Sequence, residues 1–118
     1  MHTIRLREPW QSSWKSSASG TSVVYRRDFH CPTGTENHRL YLSLSPVAKP
    51  VTGMIVTLNG DILLLNAGTT EHRAELTHKL QPFNSLGIVI PCERPVEDNE
   101  PPSIESLLTA SLQIVPLP

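Results

Sequence analysis

The residues of this chain whose types could support chemistry are five histidines, two cysteines, a serine-rich run and a few paired carboxylates. The histidines are His2, His30, His38, His72 and His78. His30 and Cys31 are adjacent and so point to opposite sides of a strand. No Cys-x-x-Cys or His-x-x-x-His pair occurs, and His72 and His78 only flank a polar run. The expectation is surface histidines and no metal site. Nucleophilic catalysis needs a nucleophile, a base and an orienting group in one pocket. The run "SSWKSSASGTS" offers serines and Lys15, but it has the composition of a flexible loop and no Gly-x-Ser-x-Gly elbow. Glu93 with Glu97 and Asp98 with Glu100 lie in a proline-broken acidic loop, without the apolar neighbours that acid catalysis requires. A glycine-rich phosphate cradle is absent as well. The chain reads as no enzyme and as needing no cofactor.

Binding is the chemistry that remains. Aromatic rings stack on the apolar faces of sugars, and this chain has Trp10, Trp14, Tyr25, Phe29, Tyr41 and Phe83. Tyr25 and Phe29 fall on the inward face of a strand, and Trp10, after Pro9, is expected to plug an end of the core. Trp14, between Ser13 and Lys15, is the aromatic expected to be most exposed. Trp14, Trp10 and Arg26 are the candidate ligand-binding residues. The plain alternative for Arg26, on an outer face beside Val24 and Asp28, is a cross-strand salt bridge.

The elements that would position these groups are short strands. "TIRLR" alternates and ends before Pro9, and the serine-rich run after it reads as a loop. In "TSVVYRRDF" Val23, Tyr25, Arg27 and Phe29 share one face, and in "RLYLSLS" Leu40, Leu42 and Leu44 do. "PVAKPVTG" is a connector that proline keeps out of regular pairing. Between "MIVTL" and "DILLL" sits Asn59-Gly60, the signature of a two-residue type I′ turn, because Asn tolerates and Gly freely adopts positive φ. That predicts a hairpin over 53–66 with Leu58 opposite Asp61, Thr57 opposite Ile62, Val56 opposite Leu63, Ile55 opposite Leu64 and Met54 opposite Leu65. One face then carries Met54, Val56, Leu58, Leu63 and Leu65 and belongs to the core. The other carries Ile55, Thr57, Ile62 and Leu64, too apolar for simple solvation, so a loop or a partner should cover it.

Residues 71–80, "EHRAELTHKL", read either as a helix with Glu75 and Lys79 paired or as an extended piece ending at Leu76 with one turn capped by Thr77. "NSLGIVIP" is a strand with Leu86, Ile88 and Ile90 inward. A helical turn after Ser103 and a strand over 111–115 close the chain.

At 118 residues with eleven dispersed prolines and six glycines, this is the pattern of one domain, 1–118, an all-β antiparallel sandwich. Charge is nearly balanced, 10 Lys and Arg against 11 Asp and Glu, with no basic stripe for nucleic acid. No apolar run approaches the roughly 18 residues of a membrane span, and no leader is visible, so a cytoplasmic location is expected. In that compartment Cys31 and Cys92 are expected as free thiols.

With the strands in order, the run from Tyr25 to Pro91 resembles the galactose-binding-like jelly roll, in particular the N-terminal sugar-binding domain of family 2 glycoside hydrolases. The likeness rests on Arg26, Arg27 and Phe29, on Leu58-Asn59-Gly60, on Ala74-Glu75-Leu76-Thr77, and on Leu80 and Asn84. It covers somewhat over half of the chain. Thr57 stands where that domain usually has an aromatic, and "NAGTTEH" replaces its Gly/His-rich loop. The resemblance implies a jelly roll of about eight short strands with at most one or two single-turn helices, and it favours the extended reading of 71–80. It also implies a non-catalytic module that binds a glycan or small ligand through loops at one end. The competing expectation is an assembly module, a homodimer or a docking unit for another protein, using Ile55, Ile62 and Leu64.

Overall fold

The structure is a computed structural model that describes residues 1–18, 20–67, 71–93 and 100–118. Its strands are β1 His2–Arg5, β2 Gln11–Ser17, β3 Gly20–His30, β4 His38–Pro46 and β5 Ile55–Leu58, followed by β6 Asp61–Ile62, β7 Asn66–Ala67, β8 His72–Glu75, β9 Phe83–Pro91 and β10 Leu108–Pro116. Two five-stranded sheets result, in the orders β1-β10-β4-β8-β7 and β2-β3-β9-β5-β6. Every pairing is antiparallel. Without β2 and β7 at their edges, the two orders are those of an eight-stranded jelly roll. The one helical element among the described residues is a 3-10 turn, Ile104–Ser106, whose Ser103 hydroxyl accepts the Glu105 amide.

Alternation builds the core. From one sheet Leu40, Leu42, Leu44, Leu108, Ala110, Leu112 and Ile114 point inward, and from the other Val23, Tyr25, Phe29, Leu86, Ile88 and Ile90 meet them. Each fully buried side chain of this size contributes roughly 1.5–3 kcal/mol relative to exposure, so these two interdigitated faces carry most of the stability. Tyr25 is sealed in this core with its hydroxyl donating to the Pro102 carbonyl at 2.7 Å. Burial first, then the charges of Cys92 and Glu8, push its pKa up to about 12.

The Asn59-Gly60 turn forms with the expected geometry, Asn59 at φ 52 and Gly60 at φ 89. Thr57 opposes Ile62 and Leu58 opposes Asp61, and the Leu63 amide still donates to the Val56 carbonyl. The hairpin over 53–66 is nevertheless shorter than expected, and the pairs Ile55 with Leu64 and Met54 with Leu65 do not form. After Ile62 the chain leaves this sheet and crosses to the other, where β7 pairs with β8. Leu63 goes into the core and Leu65 packs against it, so apolar drive at the sandwich end wins over continued pairing with β5. Asn59 is also more than a turn residue. Its side-chain oxygen accepts the Ser85 amide at 2.8 Å, and its NH2 donates to Asn84 Oδ1 at 3.0 Å. Asn84, fully buried, also accepts the Gln81 amide and donates to the Gln81 carbonyl. These bonds clamp the turn onto β9.

Four further expectations are corrected. The serine-rich run is not a loop: Gln11–Ser17 is the edge strand β2, zipped to β3 from Gln11 opposite Arg26 to Ser17 opposite Gly20. Serine has little strand preference of its own, but the open edge of β3 supplies the ladder, and a polar edge with Lys15 in it suits an exposed rim. Trp14 is therefore not an exposed loop aromatic; opposite the buried Val23, it is half-buried against the core. Arg26 bonds Ser85 across the sheet at 3.0 Å, but its acidic neighbour is Asp28 on its own strand, 3.9 Å away. Residues 72–75 are extended and a turn follows in which the Lys79 amide donates to Leu76, yet Thr77 does not cap it. Its hydroxyl oxygen instead accepts the Leu40 amide at 3.0 Å and ties the turn to β4.

Both cysteines are free thiols. Cys92 bonds beside Thr21 at the start of β3 and Cys31 follows its end, nearly the full length of an 11-residue strand away. At about 3.3 Å per residue that is ~30 Å, far beyond the span of a disulfide. Glu97 and Asp98 of the acidic pairs, and Gly68, Thr69 and Thr70 of the loop after the hairpin, lie outside the described residues.

Candidate functional site

Antiparallel pairing brings three segments to one end of the sandwich: the loop from Cys31 to Asn37, the start of β4, and the turn after β8. Gly34 and Asn37 bend the loop with left-handed backbones, φ 71 and φ 63, and Asn37 holds the C-terminal segment by accepting the Leu117 amide at 2.9 Å. The Cys31 amide donates to the Pro82 carbonyl at 3.0 Å, which closes the other side. The Leu76 amide bonds the Leu40 carbonyl at 2.7 Å and continues the β8 ladder onto β4, so the turn is seated against the sheet.

An open pocket of about 740 Å³ lies between these segments. Leu40, Leu80 and Leu117 supply its apolar part, and Glu36, His38, Arg39, Glu75, Thr77 and His78 its polar part. His78 holds a left-handed backbone at φ 65, which for a residue with a Cβ is uncommon and costs energy. His38 is oriented by a 2.7 Å contact between its Nδ1 and the Glu36 carbonyl. The set mixes a cation, two carboxylates, a hydroxyl and two imidazoles over aliphatic floor residues. That combination suits many small hydrogen bonds to a polar ligand. Both carboxylates are exposed, so neither has the buried surroundings that tune an acid catalyst. The Cys31 thiol donates to the Pro32 carbonyl at 3.6 Å.

Trp10, Trp14 and Arg26 do not line this pocket. Trp10 is buried, as a plug of the core, its indole donating to the Leu6 carbonyl at 3.2 Å and its amide to Glu8 at 2.6 Å. Arg26 stands on the outer face of β3, and the three are not brought together with one another. Four pocket residues, His38, Arg39, Glu75 and His78, were not legible as a site. His38 and Arg39 stand some forty positions from Glu75 and His78, and no motif links the two segments. Only the Tyr41–Glu75 register of β4 and β8 places them side by side.

Two other surfaces stand out. On the outer face of the second sheet Ile55 and Ile62, and just past its edge strand Leu64, remain 49%, 71% and 87% exposed. No described residue of the chain covers them. On the outer face of the first sheet, Ser43 is buried under a polar group, its hydroxyl donating to Glu71. Arg73 pairs with Glu71 at 3.7 Å and stacks over the Tyr41 ring at 4.1 Å. Among the described residues no three His, Cys, Asp or Glu side chains come together to hold a metal ion. No described helix is long and apolar enough to cross a membrane.

No protein-family model matches this chain, and no curated protein matches it. Among solved structures it is similar to an FMN-binding beta-glucuronidase from Facaelibacterium prausnitzii L2-6, with a TM-score of 0.66 and 18% sequence identity. The match takes in 98% of this chain and 22% of that one. At that identity the likeness is one of fold. The chain spans about a fifth of the length of this neighbour.

Proposed function

We propose that the chain is a non-catalytic ligand-binding β-sandwich module of the carbohydrate-binding kind, taking a small polyhydroxylated ligand in the pocket at the end of the sandwich. The observation that carries this reading is the pocket itself. Its size falls within the roughly 300–1,000 Å³ of small-ligand sites, and its lining combines hydrogen-bond donors and acceptors with aliphatic side chains. A sugar hydroxyl both donates and accepts, so such a lining can satisfy several at once. The fold likeness to a beta-glucuronidase, a protein that acts on glycosides, supports the same ligand class. No described Trp, Tyr or Phe lines the pocket, so recognition rests on hydrogen bonds in place of stacking.

The test is a glycan panel followed by two-dimensional NMR of the intact chain. Shifts confined to His38, Arg39, Thr77 and His78, with affinity reduced about tenfold by Glu75→Gln, are expected. A panel of mono- and oligosaccharides that moves no pocket resonance at millimolar concentration sinks the reading.

A second reading has its own observation, the bare apolar side of the β5–β6 hairpin at Ile55, Ile62 and Leu64. Contiguous exposed apolar side chains mark association surfaces more often than solvated ones. As an assembly module the chain elutes as a dimer that Leu64→Asp dissociates; a monomer at high concentration removes self-assembly.

A further inference from the structure

The orientation of His38 carries the ligand reading one step further, to which ligands the pocket prefers, and it rests on that reading. Nδ1 of His38 lies 2.7 Å from the Glu36 carbonyl oxygen. A carbonyl oxygen only accepts, so the proton in that contact belongs to Nδ1. In the neutral ring Nε2 is then a lone-pair acceptor, and no described residue donates to it. We infer that His38 is a specificity-determining residue of the end pocket, selecting neutral polyhydroxy ligands over their carboxylate-bearing counterparts. A ligand hydroxyl can donate to Nε2, whereas a carboxylate has only lone pairs to offer it.

The neighbours act in the same direction. Glu36 from the loop and Glu75 from β8 add two negative groups, against which Arg39 on β4 is the one permanent cation of the described lining. His78 in the turn after β8 and the Cys31 thiol complete the titratable groups facing the pocket, and the C-terminal segment brings only Leu117.

The experiment uses the intact chain and pairs of methyl glycosides that differ only in a hydroxymethyl group against a carboxylate, in the galacto, gluco and manno series. Long-range nitrogen–proton NMR reads the His38 tautomer, assigned with His38→Leu and His78→Gln, and the same spectra follow binding. Expected are the Nδ1–H tautomer and a preference of about tenfold for the neutral member. His38→Leu removes the acceptor and should abolish that preference. An Nε2–H tautomer overturns the inference whether or not a glycoside binds, and so does a preference that His38→Leu leaves unchanged. The expected tautomer with no pocket resonance moved by any probe overturns the ligand reading itself and this inference with it.

Discussion

On the inner side of the β5–β6 hairpin Val56, Leu58 and Leu63 are almost sealed from water, while Ile55 and Ile62 on its outer side, and Leu64 just beyond it, keep about half or more of their surface exposed. The two sides are built from the same kinds of residue, one position apart. What separates them is the pleat, which sends successive side chains to opposite faces, and the presence of the other sheet behind only one of them. Residue type set the periodicity; the energy came from what stood opposite. The outer side is also flattened at its centre. A Cβ built on Gly87 would stand 2.7 Å from Thr57 Oγ1, so the neighbouring strand lets Thr57 lean across it.

The contrast can be broken from either side. The largest effect belongs to the inner face: Leu58→Ala should cost about 2–5 kcal/mol in urea unfolding, since it leaves a cavity that the opposite sheet cannot fill. Next comes the clamp that holds the hairpin in place. Asn84→Ala removes the partner of the Asn59 NH2, the Gln81 amide and the Gln81 carbonyl together, a loss of about 3 kcal/mol, visible also as faster hydrogen exchange at Ser85.

Gly87→Ala tests the outer face at its tightest point. It should cost about 1–2 kcal/mol, and adding Thr57→Ala should return much of that, giving a clear interaction energy in a double-mutant cycle. Equal costs in the presence and absence of the Thr57 change would mean that the contact is not what makes glycine necessary there.

Tyr25 sharpens the inner side through pH. Its phenol is held neutral in the folded chain up to about pH 12, whereas in the unfolded chain it ionises near the ordinary tyrosine value of 10.0. The stability this supplies is complete below about pH 10 and falls as pH rises through 12. Tyr25→Phe should lose about 1 kcal/mol at neutral pH with the bond to Pro102, and its stability should decline less steeply with alkali. The smallest effect is expected outside: Leu64→Ser should change monomer stability by no more than about 0.5 kcal/mol. A loss of 2 kcal/mol or more there would show that something covers this face after all.

The strands differ in how openly they are written. In β3, β4, β9 and β10 an apolar residue returns at every second position, so their inward faces can be assigned from the letters alone. β2 has no such rhythm, because Trp14 is the only large apolar residue in "QSSWKSS". Its strand state comes from the unpaired edge of β3, a partner that lies outside any local window. Trp14 was for the same reason misjudged: once β2 is a strand opposite Val23, the indole faces the core. Thr77 looked like a cap because it precedes a turn, and the closer donor turned out to be Leu40 on another strand.

The candidate site was the least legible part. Its polar residues come from segments some forty positions apart, and none of those segments carries a motif that chemistry requires at fixed spacing. The pocket exists because β4 and β8 pair at one end and the chain between β3 and β4 bends over it.

By itself the sequence determined an all-β antiparallel architecture, the Asn59-Gly60 turn and its register, and which face of each well-patterned strand is inward. These follow from two-residue periodicity and from backbone preferences, which act over a few neighbouring residues. Only the tertiary structure decided where the hairpin ends, that the serine-rich run is an edge strand, that Asn84 clamps the turn, and that His38, Arg39, Glu75 and His78 share a pocket. Those outcomes depend on free strand edges, on competition between pairing and burial, and on distant segments meeting, and no local pattern encodes which partner will be there.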